Sequence, residues 1–118
     1  MKYLCLVYQE EEKRNALSKS QIDALVDEAM DYVDALRKSG HLIASNALQS
    51  VRTATTIRIR DGKTFTTDGP FAETKEQLGG FLLIEARDLE DAIRMASKFP
   101  AARFGCIELR PVWELTHS

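Results

Sequence analysis

The stretch TTDGPFAETKEQLGG, residues 66–80, holds the side chains of this sequence whose types and spacing are best suited to chemistry. It begins with Asp68, directly before Gly69-Pro70. An aspartate can hydrogen-bond to the backbone two residues on, so one interpretation is that Asp68 shapes a tight turn. The other is that its carboxylate stands at the mouth of a cleft and acts as a general acid or base. The residues themselves leave both interpretations open.

The rest of this stretch supplies groups that could form one wall of such a cleft. Phe71 could pack the loop onto the core or stack against a ligand. Lys75 could be an ordinary surface charge, or it could meet an anionic ligand or a carboxylate of a partner chain. Gly79 and Gly80 would let another backbone or a ligand approach closely. We therefore interpret the stretch as a shaped cleft wall and not as a simple connection.

Two arginines are further candidates for ligand binding. Arg58 and Arg110 each alternate with apolar residues on a predicted strand. If the apolar neighbours pack beneath helices, the arginines point to the opposite face, toward a cleft. A buried arginine needs a partner, which could be Glu108 or the carboxylate of a substrate. Tyr8, at the end of the first predicted strand, could place a hydroxyl nearby.

The first half of the chain alternates predicted strands with one long helix. An apolar run at residues 3–8 indicates a buried strand. A charged loop follows, and the capping-box pair Ser18 and Gln21 predicts a helix that Gly40 ends. Residues 41–50 suit a short strand and turn. The dipeptide Asp61-Gly62 predicts a hairpin over residues 55–67 in which Arg58 lies opposite Phe65.

The second half predicts strand, helix and strand. The run at 81–86 follows the two glycines, and Asp88 caps a helix that Pro100 stops. Residues 104–113 form the last predicted strand. In the helix, we expect Glu90 and Arg94 to pair on the outside. The expected core face of that helix comprises Leu89, Ala92, Ile93 and Ala96.

This order of elements predicts an α+β fold: a ferredoxin-like split βαβ arrangement with an extra β-hairpin, in a single domain over residues 1–118. Two helices can cover only one face of its sheet, yet the strands are apolar on both faces. The second face must be buried against something else. A second copy of the chain is the simplest partner, so we expect a homodimer.

The composition argues against nucleic acid and membranes as binding partners. The net charge of −2 gives no electrostatic reason to bind nucleic acid or an anionic membrane, and no apolar run is long enough to span a bilayer. We expect a cytoplasmic protein. Cys5 and Cys106 match no metal-binding spacing and are expected to be buried free thiols. Phosphate-loop, Ser-His-Asp and HExxH motifs are absent, so we expect neither a cofactor nor a metal.

Several longer stretches resemble one known family. DGPFAETKEQLGGFLLIEARDLEDAI at 68–93 and FPAARFGCIELRPV at 99–112 are similar to the DGPF-motif branch of the YCII-related family, as are MKYLCLVY and the run TATTIRIRDGKTFTTDGPF. The resemblance covers nearly the whole chain. It implies a dimeric α/β barrel, in which two ferredoxin-like sheets pack face to face around internal clefts.

The resemblance also implies a type of chemistry. Relatives in the wider superfamily include small-molecule lyases, isomerases and cofactor-free oxygenases, and enzyme-like members of the family use a His–Asp pair in the cleft. Asp68 matches the aspartate of that pair. Its histidine has no match, because His41 and His117 lie outside the family's motif.

Two hypotheses of function follow. The first is a cofactor-free lyase or isomerase that acts on a small anionic or aromatic substrate, with Asp68 as acid or base and Arg58 or Arg110 stabilising developing charge. Its ligand-binding residues would be Arg58, Lys75, Arg110, Tyr8 and Phe71. The alternative is a non-enzymatic module that binds a metabolite or another protein, which the missing histidine favours.

Overall fold

The computed structural model describes residues 1–116, so His117 lies outside the described part of the chain. The elements there are six strands, three α-helices and two short 3₁₀ turns, Val51–Thr53 and Pro100–Arg103. The strands are β1 (Lys2–Gln9), β2 (Leu42–Ala47), β3 (Thr55–Arg60), β4 (Lys63–Asp68), β5 (Gln77–Glu85) and β6 (Cys106–Pro111). The helices are α1 (Glu11–Asn15), α2 (Lys19–Lys38) and α3 (Leu89–Ser97).

Four of the strands form one antiparallel sheet in the order β2-β5-β1-β6. Helix α2 connects β1 to β2 and α3 connects β5 to β6, and in each unit another strand lies between the two that are connected. This is the split βαβ topology of a ferredoxin-like α+β fold, as predicted. The strands β3 and β4 pair only with each other and form a separate two-stranded ribbon.

Local signals placed the long helix and the ribbon correctly. The side chain of Ser18 accepts from the backbone of Gln21 and the Gln21 side chain accepts from the backbone of Ser18, which completes the capping box. Gly40 follows the helix with a φ of 80°. At the ribbon's tip, Asp61 and Gly62 have φ values of 53° and 74°, as a type I′ turn requires.

The core lies between the four-stranded sheet and one end of the layer formed by helices α2 and α3. Tyr3, Cys5 and Ile84 on the strands pack with Leu36 of α2 and Met95 of α3, and all five are buried. The hydroxyl of Tyr32 on α2 donates to the main-chain oxygen of Met95 at 2.7 Å, which joins the helices. We refer to this region as the packed end of the helix layer.

Helix α3 is rotated relative to the prediction. Its buried residues are Asp91, Ala92, Met95 and Ala96, whereas Leu89 and Ile93 are about half exposed. The predicted Glu90–Arg94 pair is wrong, because Arg94 pairs with Asp91. Asp91 can be buried since its carboxylate also accepts from the backbone N–H of Arg87 at 3.0 Å, so a carboxylate takes the place expected for an apolar side chain.

The chain is less compact than its length suggests. Its radius of gyration is 16.4 Å, and its principal extents are 52 × 47 × 19 Å. A compact domain of this length would have a radius of gyration of roughly 13–14 Å. The ribbon accounts for part of the difference, because nearly all of its side chains are exposed. The charged segment after β1, expected to be a loop, forms the short helix α1.

Candidate functional site

The sheet face turned away from the helices carries two of the predicted ligand-binding residues, Tyr8 and Arg110. Cross-strand pairing places Leu4 beside Leu83 and Arg110, and Leu6 beside Phe81 and Glu108. We call this surface the open face and define it by Leu4, Leu6, Tyr8, Phe81, Leu83, Cys106, Glu108 and Arg110. Its central apolar side chains are only half-buried, so the open face is an apolar surface with charges along the edge strand β6.

Arg110 lies on the open face, as the alternation of β6 predicted. Its guanidinium Nη1 is 3.5 Å from Oε2 of Glu108, and both side chains are at least half exposed. An exposed ion pair of this kind contributes little to stability. The pair therefore leaves Arg110 available to bind an anion, with Glu108 as its partner in the isolated chain.

Tyr8 and Cys106 are direct cross-strand neighbours at one end of the open face. Cys5 is buried and unbridged as predicted, but the prediction that Cys106 is buried is wrong for this chain, where its side chain is exposed. The reason is strand alternation: Ile107 and Leu109 face the helices, so Cys106 points the other way. Desolvation raises the pKa of the Cys106 thiol, and the nearby carboxylates of Glu76 and Glu108 raise it further.

Asp68 is the last residue of β4, opposite Thr55, and is exposed in the isolated chain. The turn that follows is held by other groups. The N–H of Gly69 donates to the carbonyl of Ala54 at 2.7 Å, and the Thr56 hydroxyl donates to the carbonyl of Gly69 at 2.8 Å. Within residues 1–116, no hydrogen bond or ion pair of the structure uses the Asp68 carboxylate.

The segment between β4 and β5 is shorter than the predicted loop, because residues 66–68 and 77–80 belong to strands. Phe71 is 81% exposed, so it does not pack onto the core of its own chain. The Lys75 ammonium lies 3.5 Å from the Glu10 carboxylate, which also lies 3.6 Å from Lys13. Lys75 thus ties the loop to the segment after β1.

Gly80 has a structural reason for its identity. A Cβ at this position would lie 2.8 Å from the backbone oxygen of Asn46 and 3.3 Å from the Cα of Ala47. The backbone that approaches Gly80 is therefore that of β2. Of the two possibilities that the sequence allowed, another backbone or a ligand, the structure shows the backbone.

Arg58 lies on the ribbon, opposite Phe65, and is exposed. The chain thus divides the predicted residues among three places. Tyr8 and Arg110 share the open face, Arg58 and Asp68 lie on the ribbon, and Phe71 and Lys75 lie in the connecting loop. A single chain does not gather them around one pocket, so a common site would require a second molecule to bring them together.

His41 lies at the end of the sheet where β2 begins, and its ring contacts the backbone of β5. Its ring Nδ1 lies 3.1 Å from the main-chain oxygen of Glu85, at the last residue of β5. The loop after Asp68 enters the same strand at its first residue, Gln77. His41 and this loop are therefore at opposite ends of β5.

Neither a metal cluster nor a membrane span is found in the described part of the chain. Among residues 1–116, no three His, Cys, Asp or Glu side chains are grouped so that they could hold a metal ion. No helix over the same residues combines the length and apolar character needed to cross a bilayer.

Sequence comparison confirms the family that the sequence resembles. A model of the YCII-related domain matches residues 1–116. The chain belongs to the YCII-related family. It is also 34% identical over 114 residues to an uncharacterised protein of Rhizobium meliloti, a match that covers 95% of this chain and 92% of that protein. Membership in the DGPF branch stays a prediction based on the motif.

The YCII-related chain also contains features that sequence reasoning missed. The Glu76 carboxylate is near enough to raise the pKa of Cys106, which lies beside Tyr8 on the open face, although Glu76 and Cys106 come from different elements. The only signal in the sequence was strand alternation: Cys106 and Arg110 are four residues apart on one strand, so their side chains lie on the same face. A second missed feature is a large cavity on the other side of the sheet, beneath α2.

Proposed function

We propose that this YCII-related protein is a cytoplasmic homodimer that joins through the open face and acts on a small anionic or aromatic molecule without a cofactor. In this proposal it is a lyase or isomerase, and Asp68 is the acid or base. Arg110 or Arg58 stabilises negative charge on the substrate. The observation that carries the proposal is the uncommitted carboxylate of Asp68, which the turn after β4 does not use.

The surface chemistry of the isolated chain supports a dimer. The open face presents half-buried leucine and phenylalanine side chains where a second sheet could pack. Phe71 and Trp113 are each more than four-fifths exposed, which is a large apolar area for a chain of this size. A second copy would cover these groups, and it would bring one chain's ribbon near the other chain's sheet. The cytoplasmic location rests on the two unpaired thiols, which suit a reducing compartment.

The residues on the open face indicate the class of ligand. Arg110 supplies a planar cation that suits carboxylates, and Tyr8 adds a hydroxyl. The neighbouring Leu4, Leu6 and Phe81 provide an apolar floor suited to a ring or a short chain. A small carboxylate, aromatic or aliphatic, matches this combination of groups.

The dimer can be tested through mass and through Cys106. Light scattering at low micromolar concentration should give twice 13.3 kDa. Labelling of Cys106 by a thiol reagent, resolved by peptide mass mapping, should slow as protein concentration rises through the dimer dissociation constant. Cys5 is the internal control, because it is buried in the chain itself and should stay unlabelled throughout. A monomer whose Cys106 reacts at one rate at all concentrations would disprove the dimer.

The role of Asp68 can be tested once a ligand is found by thermal-shift screening of small carboxylates. Asp68→Asn should leave the melting temperature unchanged or slightly higher, and turnover should fall about a hundredfold or more. Asp61→Asn is the matched control, since it makes the same change at the tip of the same ribbon. Full turnover by Asp68→Asn would exclude Asp68 as the reacting group.

A non-enzymatic binding module is the second candidate, favoured by one observation. The family resemblance pairs the aspartate with a histidine, but among residues 1–116 no histidine lies beside Asp68, because His41 contacts Glu85 at the other end of β5. In this case Asp68→Asn would bind ligand normally and Arg110→Gln would lose affinity. Ligand binding without turnover by the native dimer would support this candidate over the enzyme.

A further inference from the structure

A large cavity lies on the helix side of the sheet, away from the open face. Between Ile22 and Val33, helix α2 does not close onto the strands, and the space between them measures about 700 Å³. We call it the α2 groove. Its wall is Leu25, Ala29 and Val33 of α2, its floor includes Val7 of β1, and Phe104 lies at its end. Small-molecule pockets typically have about 300–1,000 Å³, so the groove could hold one.

The groove exists because small residues lie beneath a helix that bears large ones. The strands contribute Ser45 and Ala47 from β2 and two glycines, Gly79 and Gly80, from β5. Residues this small leave Ile22, Leu25 and Ala29 of α2 only half-buried. Met30 also lines the groove and is 60% exposed. An unfilled apolar space loses the dispersion contacts that a ligand would restore.

A salt bridge joins α2 to the turn after α3 at the edge of this space. The terminal nitrogens Nη1 and Nη2 of Arg103 donate to the Glu28 carboxylate, at 2.9 and 2.7 Å. Arg103 belongs to the 3₁₀ turn after α3, and its guanidinium also lies 5.5 Å from the ring centre of Phe104, which lines the groove. This contact links the helix to the turn at the end of the groove.

Among residues 1–116, one positively charged side chain at the groove has no carboxylate partner. Glu10 is already paired with Lys13 and Lys75, and Asp34 is paired with Arg37 at 2.6 Å. Arg14 also lines the groove, and among residues 1–116 it forms no ion pair with a carboxylate. The groove therefore combines apolar walls with one cation that lacks a partner, a pattern complementary to an apolar chain bearing one acid group.

We propose that the α2 groove binds a fatty-acid-like molecule, with its hydrocarbon chain along α2 and its carboxylate at Arg14. The apolar wall accepts the chain, and the small residues of the floor leave space for it. The guanidinium supplies hydrogen bonds that a carboxylate can accept in pairs. This site is separate from Asp68 and the open face, so the two proposals can fail independently.

The first test uses the native protein with a dansyl-labelled undecanoate and measures displacement by laurate and by dodecanol. The fluorescent probe should bind saturably, and laurate should displace it. Arg14→Gln should weaken laurate binding about tenfold and leave dodecanol unchanged, since only laurate carries the charge. Arg52→Gln is the matched control, because Arg52 is exposed and lies outside the groove. Failure of the probe to saturate below its micelle concentration would overturn the proposal.

The second test fills the groove. Ala29→Trp places a large side chain in it, whereas Ala24→Trp makes the same change on the exposed side of the same helix. Probe binding should be lost only in the first variant, with circular dichroism confirming that both fold. Should Ala29→Trp unfold, Met30→Trp replaces it, since Met30 lines the groove and is already exposed. Unchanged binding in the folded groove variant would refute the site.

A second copy of the chain is the rival occupant of the groove. The ribbon carries exposed Ile57 and Ile59, which could enter a partner's groove. In that case laurate would either fail to bind or dissociate the dimer. Light scattering with and without laurate separates these occupants: a dimer that persists at saturating laurate supports the proposal, and conversion to monomer overturns it.

Discussion

Two stretches of helix α2 differ in what lies opposite them. Near the C-terminus, Leu36 is 6% exposed and packs in the same cluster as Cys5 and Ile84, which are fully buried. In the preceding stretch, Val26 is 38% and Met30 is 60% exposed over the α2 groove. Both stretches carry apolar residues at helical spacing. The comparison shows that such a stripe identifies a helix's apolar side, whereas the residues across from it decide whether that side is filled.

The strands explain the difference. At the packed end, they present Tyr3 and Ile84 to the helices. At the α2 groove they present Ser45, Ala47 and Gly80, which are too small to bury the facing residues Ile22, Leu25 and Ala29 of α2. One end is therefore filled by buried side chains, and the other leaves the α2 groove open.

The largest expected effect separates the two ends directly. Ile84→Ala should lower the free energy of unfolding by about 2–5 kcal/mol, because it removes three methyl or methylene groups from a fully buried site. Met30→Ala should cost less than about 1 kcal/mol, since that side chain is mostly exposed. Urea unfolding of both variants measures the difference. Equal losses would mean that the helix closes over the groove in solution.

A smaller effect is expected at the floor of the groove. Gly80→Ala should destabilise by about 1–3 kcal/mol, because the new Cβ would lie 2.8 Å from the backbone oxygen of Asn46. Gly79→Ala should cost less, since its nearest neighbour is the flexible amide of Gln9 at 3.1 Å. Denaturant unfolding compares the pair. A well-tolerated alanine at Gly80 would show that β2 does not approach β5 as closely as described.

The third prediction concerns acid stability at the packed end. The backbone N–H of Arg87 and then the Arg94 guanidinium lower the pKa of Asp91 to about 2. Because the pKa is lower in the folded than in the unfolded chain, where it is about 3.9, the stabilisation is complete above that value and is lost as the pH falls toward 2. The melting temperature should therefore drop across this interval.

Asp91→Asn should weaken that dependence on pH. Its melting temperature should be lower than that of the native protein at pH 6, and the two should converge as the pH falls toward 2. Asp31→Asn, on the exposed side of α2, is the control and should follow the native curve. Parallel native and Asp91→Asn curves would show that another group governs acid unfolding.

Part of this molecule was determined by short-range sequence signals. The capping box at Ser18, the Asp61-Gly62 turn and the cap at Asp88 act within a few residues, and each lies where it was predicted. Strand alternation likewise placed Arg110 on the open face. Such signals are local hydrogen bonds and backbone preferences, which do not depend on the rest of the fold. The order of elements then limited the topology to a ferredoxin-like sheet.

The tertiary structure alone decided how these elements meet. Helix periodicity did not show that Asp91 would be buried, because its burial depends on Arg87 and Arg94 reaching the same carboxylate. The sequence did not show that Asp68 and Arg110 would lie on separate sheets, since strand pairing joins residues far apart in the chain. Nor did it show the α2 groove, which arises because β2 and β5 place small residues beneath large ones. Distances between elements follow from tertiary packing, and no short segment of sequence determines that packing.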